Sequence, residues 1–289
     1  MHDSAPLVTA VVPVRNRCAI TLRCLDALAR QTYTSLRVVV VDSHSTDDTV
    51  SSVRSAFPAV RVLHATDRDF WAGATNIGVR HALDSGSDWI LTINDDALIE
   101  ANYVERLLQI ACRFGCLILG SQINYLGDPQ RIWALGTFTD WGTAEMLRLG
   151  LHGEQSGGLV DSFRQDEIVR VDALAGNGVL LHHSVFRRIG IYNACMLPHY
   201  HADSELVMRA VAAGISAWVT PRVVVLNDFS PNQKRLPLST FSGLVWSLGS
   251  PKSHLYLPAL LYIFCQYCPF RLKIVTAISL LRRFLAMDR

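Results

Sequence analysis

Trp89-Ile90-Leu91-Thr92-Ile93-Asn94-Asp95-Asp96-Ala97-Leu98 carries strand-forming apolar residues straight into two adjacent carboxylates. The run reads as a buried strand that delivers acid to the edge of a sheet. In open α/β sheets ligands gather at the carboxyl ends of the strands, so paired acids there are placed to hold a divalent cation on a substrate phosphate. The plainer alternative is that Asp95 or Asp96 caps the next helix, expected over residues 101–113.

Upstream the same logic repeats. Residues 7–14 (LVTAVVPV) form a continuous apolar run containing Pro13, as expected of a buried parallel strand. Residues 20–30 then place Leu22, Leu25 and Ala29 at helical spacing. A second buried strand, 37–41 (RVVVV), stops at Asp42-Ser43-His44-Ser45-Thr46-Asp47-Asp48, where Ser45 and Asp48 have capping-box spacing for a helix to about residue 57. A third strand is expected over 60–65. The turn over 67–78 contains Ala72, Gly73, Ala74 and Gly78, and opens a helix to about residue 83. Such small residues let a helix N-terminus approach a ligand, and helix N-termini favour anions. Neither a G-x-G-x-x-G nor a G-x-x-x-x-G-K-[ST] pattern is present, which excludes the dinucleotide and P-loop fingerprints. Strands alternating with helices of this length predict an α/β fold with a mostly parallel, doubly wound sheet.

Composition narrows the function. Half of the 289 residues are hydrophobic, enough for a large core, and a net charge of +2 gives no basic stripe for nucleic acid. The seven cysteines are scattered and odd in number, which predicts reduced thiols in the cytoplasm, with Cys265 and Cys268 packed as small apolar residues. The first six residues lack a basic n-region and an apolar h-region, so no secretory leader is expected.

In order along the chain, four blocks resemble glycosyltransferase family 2 of the GT-A fold, of the kind that includes bacterial rhamnosyltransferases. Val11-Val12-Pro13-Val14-Arg15-Asn16-Arg17 resembles the opening strand and nucleotide-binding turn; Val40-Val41-Asp42-Ser43 with Thr46-Asp47 resembles the second block, whose strand-end Asp contacts base or ribose. Gly73 through Gly78, with Arg80, is similar to the block lying against the diphosphate sugar, and Asn94-Asp95-Asp96 falls at the D-x-D motif, with Asn94 in its first acidic position. The resemblance implies donor contacts from Pro13, Arg15, Asn16, Asp42, Asp47, Gly73, Asn76, Arg80 and Asp95, and a Mg²⁺ or Mn²⁺ held by Asp96. Farther on, residues 171–181 resemble the acceptor-side strand, implying acceptor contacts from Gly176 and Asn177; by pattern alone a glycine-loosened hairpin is the alternative. Asp203 matches the family's general base, with Ala202 where the family has Glu; an N-cap is its plainer reading. His201 and Glu205 are implied to touch the acceptor, while His199 and His201 could alternatively form a metal pair or sit on the surface. Many relatives have a metal-binding His near the end of the strand expected over 217–226, where Asp228 stands here.

The expected organisation is a GT-A domain over residues 1–235, with a nucleotide-binding half to about 120 and an acceptor half after it, and a helical extension over 236–289. Within that extension residues 255–270 are apolar but too short to span a bilayer. Arg271, Lys273, Arg282, Arg283 and Arg289 flank Ile274, Ile278, Leu281 and Leu285, a basic amphipathic pattern suited to an anionic membrane surface on the inner face of the cytoplasmic membrane. The alternative is a helix pair packed on the domain or across a homodimer. The expected activity is inverting transfer of a sugar, rhamnose by resemblance, from a nucleotide-diphosphate donor to a saccharide or polyprenyl-linked acceptor in surface-polysaccharide synthesis. The rivals are a non-catalytic sugar-nucleotide-binding module, suggested by Asn94 and Ala202, and a nucleotidylyltransferase, disfavoured by the lack of a glycine-rich, lysine-bearing N-terminal loop.

Overall fold

A computed structural model describes residues 5–156, 167–229 and 240–286. In chain order its strands are β1 (Val8–Val14), β2 (Leu36–Ser43), β3 (Arg61–Ala65), β4 (Trp89–Thr92), β5 (Ala97–Ile99), β6 (Ile118–Tyr125), β7 (Asp128–Ala134), β8 (Thr137–Asp140), β9 (Met146–Leu149), β10 (Val169–Val171), β11 (Val179–His182) and β12 (Ala217–Asn227). The helices are α1 (Cys18–Ala29), α2 (Thr49–Ala56), α3 (Phe70–Asp84), α4 (Tyr103–Phe114), α5 (His183–Ile189), α6 (Ala202–Ala212), α7 (Phe241–Gly249), α8 (Leu257–Tyr267) and α9 (Lys273–Ala286).

The valine-rich runs take the centre of the sheet because both of their faces must be covered. β1 lies parallel between β2 and β4, and the main sheet runs β10-β12-β6-β11-β4-β1-β2-β3. β11 interrupts the parallel register, antiparallel to both β4 and β6, while β12 is parallel to β6 and β10 closes that edge antiparallel to β12. Consequently β1, β2, β4, β6 and β12 all end on one edge, which gathers Val14, Ser43, Thr92, Tyr125 and Asn227. On one face α1 and α4 bury Leu25, Leu28, Val104 and Leu107; on the other α3, α6 and α8 bury Val79, Leu206 and Ile263. The mostly parallel, helix-covered sheet expected from the sequence is therefore present. The C-terminal helices share the second core through Ala259 and Ile263, and the expected boundary at 235/236 lies outside the described residues.

Three local readings change. The Ser45/Asp48 capping box does not form: the Ser45 hydroxyl accepts the Asn16 N–H at 2.8 Å, and Asp47 instead takes the Thr49 N–H at 3.1 Å. The acceptor-side stretch is not one strand, because β10 ends at Val171 and β11 starts at Val179, leaving a connecting loop. Finally, α3 starts at Phe70, so Gly73 and Gly78 lie inside the helix rather than in a turn before it. Gly78 is where α3 crosses β1: a Cβ there would run into the Val11 side chain and come within 3.1 Å of Val41. We expect Gly78→Ala to cost about 1–3 kcal/mol of stability, the usual cost of overpacking a core, with urea denaturation as the measurement; unchanged stability would mean α3 can shift freely on β1.

Candidate active site

The strand-end acids face a cation supplied by the chain itself. Arg17, just after β1, reaches Asp95 Oδ1 at 2.8 Å and Asp96 Oδ2 at 3.1 Å, and the Thr21 hydroxyl adds a weak bond to Asp95 at 3.4 Å. Neither acid caps α4, whose N-cap is Asn102. The side chains of Asp95 and Asp96 are 5% and 13% exposed, against 36% for Arg17, so the pair is buried and its counter-charge is only half so. Burial pushes the Asp95 carboxyl up to about 7 against the pull of Arg17, and raises Asp96 for the same reason. Asp96 Oδ1 is buried without a hydrogen-bond partner, and the Asp96 carbonyl accepts the Asp228 N–H at 3.3 Å.

Asn94, in the first acidic position of the motif, has a structural task. Its side-chain Oδ1 accepts the indole N–H of Trp71 from α3 at 3.0 Å, and its backbone N–H is taken by the Asn177 side chain at 3.0 Å. Asn177 in turn donates to Asn227 at 2.6 Å, so β4, the loop before β11 and the end of β12 are tied together. The preceding residue, Gly176, donates its N–H to Asp203 Oδ2 at 2.6 Å; a Cβ on Gly176 would lie 2.6 Å from the Trp71 ring. Two consecutive loop residues thus join the acid-bearing strand end to the acid-bearing helix. Asp203 sits inside the first turn of α6, whose N-cap is His201, and burial raises its carboxyl despite the N–H groups of Gly176 and Ser204.

A second cluster lies at the ends of β1 and β2. Asn16 Oδ1 accepts the Thr46 N–H at 2.7 Å, Asp47 the Cys18 N–H at 3.3 Å, and Asp42 the Ser45 N–H at 3.2 Å from both oxygens. Arg15 reaches the Asp67 carbonyl at 3.3 Å, and Pro13 is within β1 opposite Val41. These bonds hold two loops side by side on the edge where Asp95 lies.

Other residues expected at the site are placed elsewhere. Asn76 is buried and bonds both backbone groups of Tyr192 at 2.8 and 2.9 Å, so its amide has a packing role. Arg80 is ten residues into α3, about 15 Å along the axis from the end nearest the site. Gly73 packs on Asp69 of its own helix start. Glu205 is 0% exposed and held by Arg209 at 3.1 Å and by the Tyr267 hydroxyl at 2.7 Å, so it is withdrawn from any acceptor. His201 Nε2 lies 3.1 Å from the His254 carbonyl, and burial lowers His199 to about 4; among the described residues no cluster of three metal-ligating side chains occurs. Trp71, Arg17 and Asn227 were missed as parts of this assembly. Arg17 alone carried a signal, a cation directly after the nucleotide-turn Asn16.

The family model described as glycosyl transferase family 2 matches residues 9–164. The glycosyltransferase GlyG of Streptococcus pneumoniae serotype 4 is 26% identical over 156 residues, covering 52% of this chain and 50% of that protein. A PGL/p-HBAD biosynthesis glycosyltransferase of Mycobacterium bovis is 33% identical over 110 residues, covering 36% of this chain and 41% of that protein. The matched stretches thus span half or less of these relatives. Among solved structures, the crystal structure of GalNAc-T7 with UDP, GalNAc and Mn²⁺ superposes with TM-score 0.65 over 96% of this chain and 55% of that one at 14% identity, a likeness of fold. The fold is GT-A-like.

Removing the internal cation gives a signed test. In Arg17→Gln the two carboxylates lose their partner, at a cost of about 1–3 kcal/mol, less than a fully buried pair because Arg17 is partly in water. Asp95 already has a raised folded value, so its favourable contribution is present at low pH and is lost as pH rises through about 7. Denaturant titrations should therefore find the variant's deficit larger at pH 8 than at pH 6; a deficit that does not change with pH would contradict the ion-pair account.

Proposed function

This chain belongs to glycosyl transferase family 2, and from that premise we propose that it is an inverting glycosyltransferase. It moves a sugar, rhamnose by the sequence resemblance, from a nucleotide-diphosphate donor to a saccharide or lipid-linked saccharide in surface-polysaccharide synthesis. The observation that carries this reading is the pair of bonds from adjacent loop residues, Gly176 to Asp203 and Asn177 to Asn94, which fixes a candidate base beside the strand-end acids.

The proposed division of labour follows position. The loops bearing Asn16, Asp42 and Asp47 bind the nucleoside, and Asp95 and Arg17 lie where the diphosphate would meet the sheet edge. Asp203 takes the proton from the acceptor hydroxyl as its oxygen attacks the anomeric carbon; burial raises its affinity for protons above that of an ordinary carboxylate, which strengthens it as a base. The residues present suit a divalent cation. Asp96 offers a buried oxygen with no hydrogen-bond partner, and Mg²⁺ or Mn²⁺, which prefer such hard donors, would be held there. The Mn²⁺ and UDP in the GalNAc-T7 structure support that choice. Such a cation would neutralise the leaving diphosphate. Asp228, whose backbone N–H meets the Asp96 carbonyl, is the proposed second carboxylate for that cation.

No helix among the described residues is long and apolar enough to cross a membrane. Peripheral attachment at the inner face of the cytoplasmic membrane is the proposed location, supported by Phe270 at 90% exposure and Ile274 at 75% beside Arg271 and Lys273. Of the other residues expected there, Arg289 lies outside the described residues.

Two measurements test the assignment. In a panel of nucleotide sugars with and without Mn²⁺, Asp96→Asn should lose most metal-dependent donor binding by calorimetry; equal affinity in both proteins refutes the metal role. Asp203→Asn should bind donor and metal normally while transfer falls about 10²–10⁴-fold, and wild-type transfer should rise with pH through a value above the usual carboxylate range. Undiminished transfer in Asp203→Asn would rule it out as the base.

A further inference from the structure

β6 carries amides where a buried strand would ordinarily be apolar on both faces. Its Leu119 packs in the core beside α4 and its Ser121 hydroxyl lies 2.7 Å from that of Tyr103, so these positions face α4. Gln122 and Asn124 alternate with them and belong to the other face, opposite Val224 and Leu226 of β12, while Leu226 is in turn opposite Leu98 of β5. Both amides are 2% exposed.

This row lines a cavity of about 460 Å³, within the range of small-molecule sites at ~300–1,000 Å³. Leu98, Ile99, Pro129, Pro221, Val224 and Leu226 give it apolar surface, while Gln122, Asn124, Gln130 and Ser156 give it amides and a hydroxyl. The charged members of its wall, Glu100 and Arg222, are opposite in sign and exposed.

One carbonyl decides which end of each amide points where. The Pro129 carbonyl can only accept, so Asn124 turns Nδ2 to it at 2.7 Å and Oδ1 to Gln122, which donates from Nε2 at 2.9 Å. Both amide nitrogens also reach the Ser156 hydroxyl, at 3.1 and 3.3 Å. Gln122 Oε1 is left buried with no hydrogen-bond partner, a costly state for an amide oxygen. Because that atom is an acceptor, whatever completes it must donate. A carboxylate or a phosphate diester brings only acceptors, and an ammonium ion would meet a neutral cluster, whereas a hydroxyl on a partly apolar ring suits both halves of the wall.

We propose that this cavity binds one neutral sugar residue, with a ring hydroxyl donating to Gln122 Oε1 and the C–H surface of the ring against Leu98, Val224 and Leu226. The residue is a free sugar or one unit of a longer saccharide, and the recognition chemistry is the same for both. The next rung along the sheet, Ala97 opposite Asn227, belongs to the frame around Asn177, so the cavity neighbours that frame without using the candidate catalytic residues. Binding can be read with no donor present.

The probes are the methyl glycosides of rhamnose, glucose and galactose, titrated into the full chain by saturation-transfer NMR and by thermal unfolding. At least one should bind wild type and raise its unfolding temperature. The same glycoside with every hydroxyl methylated keeps its acceptors but has no donor, and should not bind. Gln122→Leu removes the orphan acceptor and should weaken binding about tenfold, the order expected of one hydrogen bond. Val224→Phe fills the cavity from a half-buried position and should abolish binding; it serves if Gln122→Leu fails to fold. Asp203→Asn should bind the glycoside like wild type. Binding of lactose alongside the galactoside assigns the cavity to a unit of a chain, and its exclusion assigns it to a free sugar. If no glycoside binds, water alone meets Gln122 Oε1 and the proposal is overturned. It is equally overturned if the methylated ligand binds as well as its parent, or if both cavity variants bind like wild type while Asp203→Asn does not, which would place the sugar at the candidate active site. None of these readouts involves transfer, so failure of the assigned base leaves the cavity assignment untouched.

Discussion

The site depends on the Asn177 side chain, which reaches across the sheet edge and closes gaps on both sides. Its carbonyl accepts the Asn94 N–H and its amide donates to Asn227, so one residue fixes the ends of β4 and β12 relative to each other. It is 5% exposed, and buried amides without partners are costly, so none of the three positions can drift without leaving an unpaired group. Gly176 must precede it, because Trp71 and Asp203 crowd the place a Cβ would take. The glycine lets the loop pass close to Trp71, and the asparagine pins it there.

Around this frame the chain concentrates negative charge in a poorly solvated place. Asp95 and Asp96 are both destabilised as anions by burial, and Arg17 recovers only part of that cost from a partly wet position. Such an arrangement favours any second cation that can reach Asp96 Oδ1, the atom Arg17 leaves unpaired. That oxygen is where the divalent cation proposed above would bind.

What the sequence made legible follows from the range of each interaction. Valine runs, helix spacing and the acid pair at the end of β4 are local patterns, and they gave the sheet, its helices and its functional edge. Capping and side-chain roles were not legible in this way because they are settled between distant segments. Asp48 and Ser45 have the right spacing for a box, yet the Asn16 loop, about thirty residues away, claims the serine. Asn76 reads as a donor contact, but its partner is Tyr192, 116 residues on. Asn94 and Ala202 looked like lost acids. In three dimensions Asn94 is a hydrogen-bond hub and Ala202 is fully buried, where a glutamate would need a partner in the core. Each departure has a packing reason in the fold.

Glu205 carries the last link, between the base-bearing helix and the C-terminal helices. It accepts from Arg209 on α6 and from Tyr267 at the end of α8, and Arg209 also donates to the Ile191 carbonyl at 2.9 Å. The carboxylate is wholly buried, so removing Arg209 would leave its charge uncompensated, and removing Tyr267 would take away one of its hydrogen bonds. The hydroxyl of Tyr267 is accordingly held as a donor: burial and the neighbouring carboxylate both oppose its ionisation. This bond is more directional than the apolar contacts of Ala259 and Ile263 beside it. Since Asp203 lies in the first turn of α6, the orientation of α8 is coupled to the position of that carboxylate through one buried acid. Under the proposed attachment through α8 and α9, this link would carry the position of those helices to the candidate base.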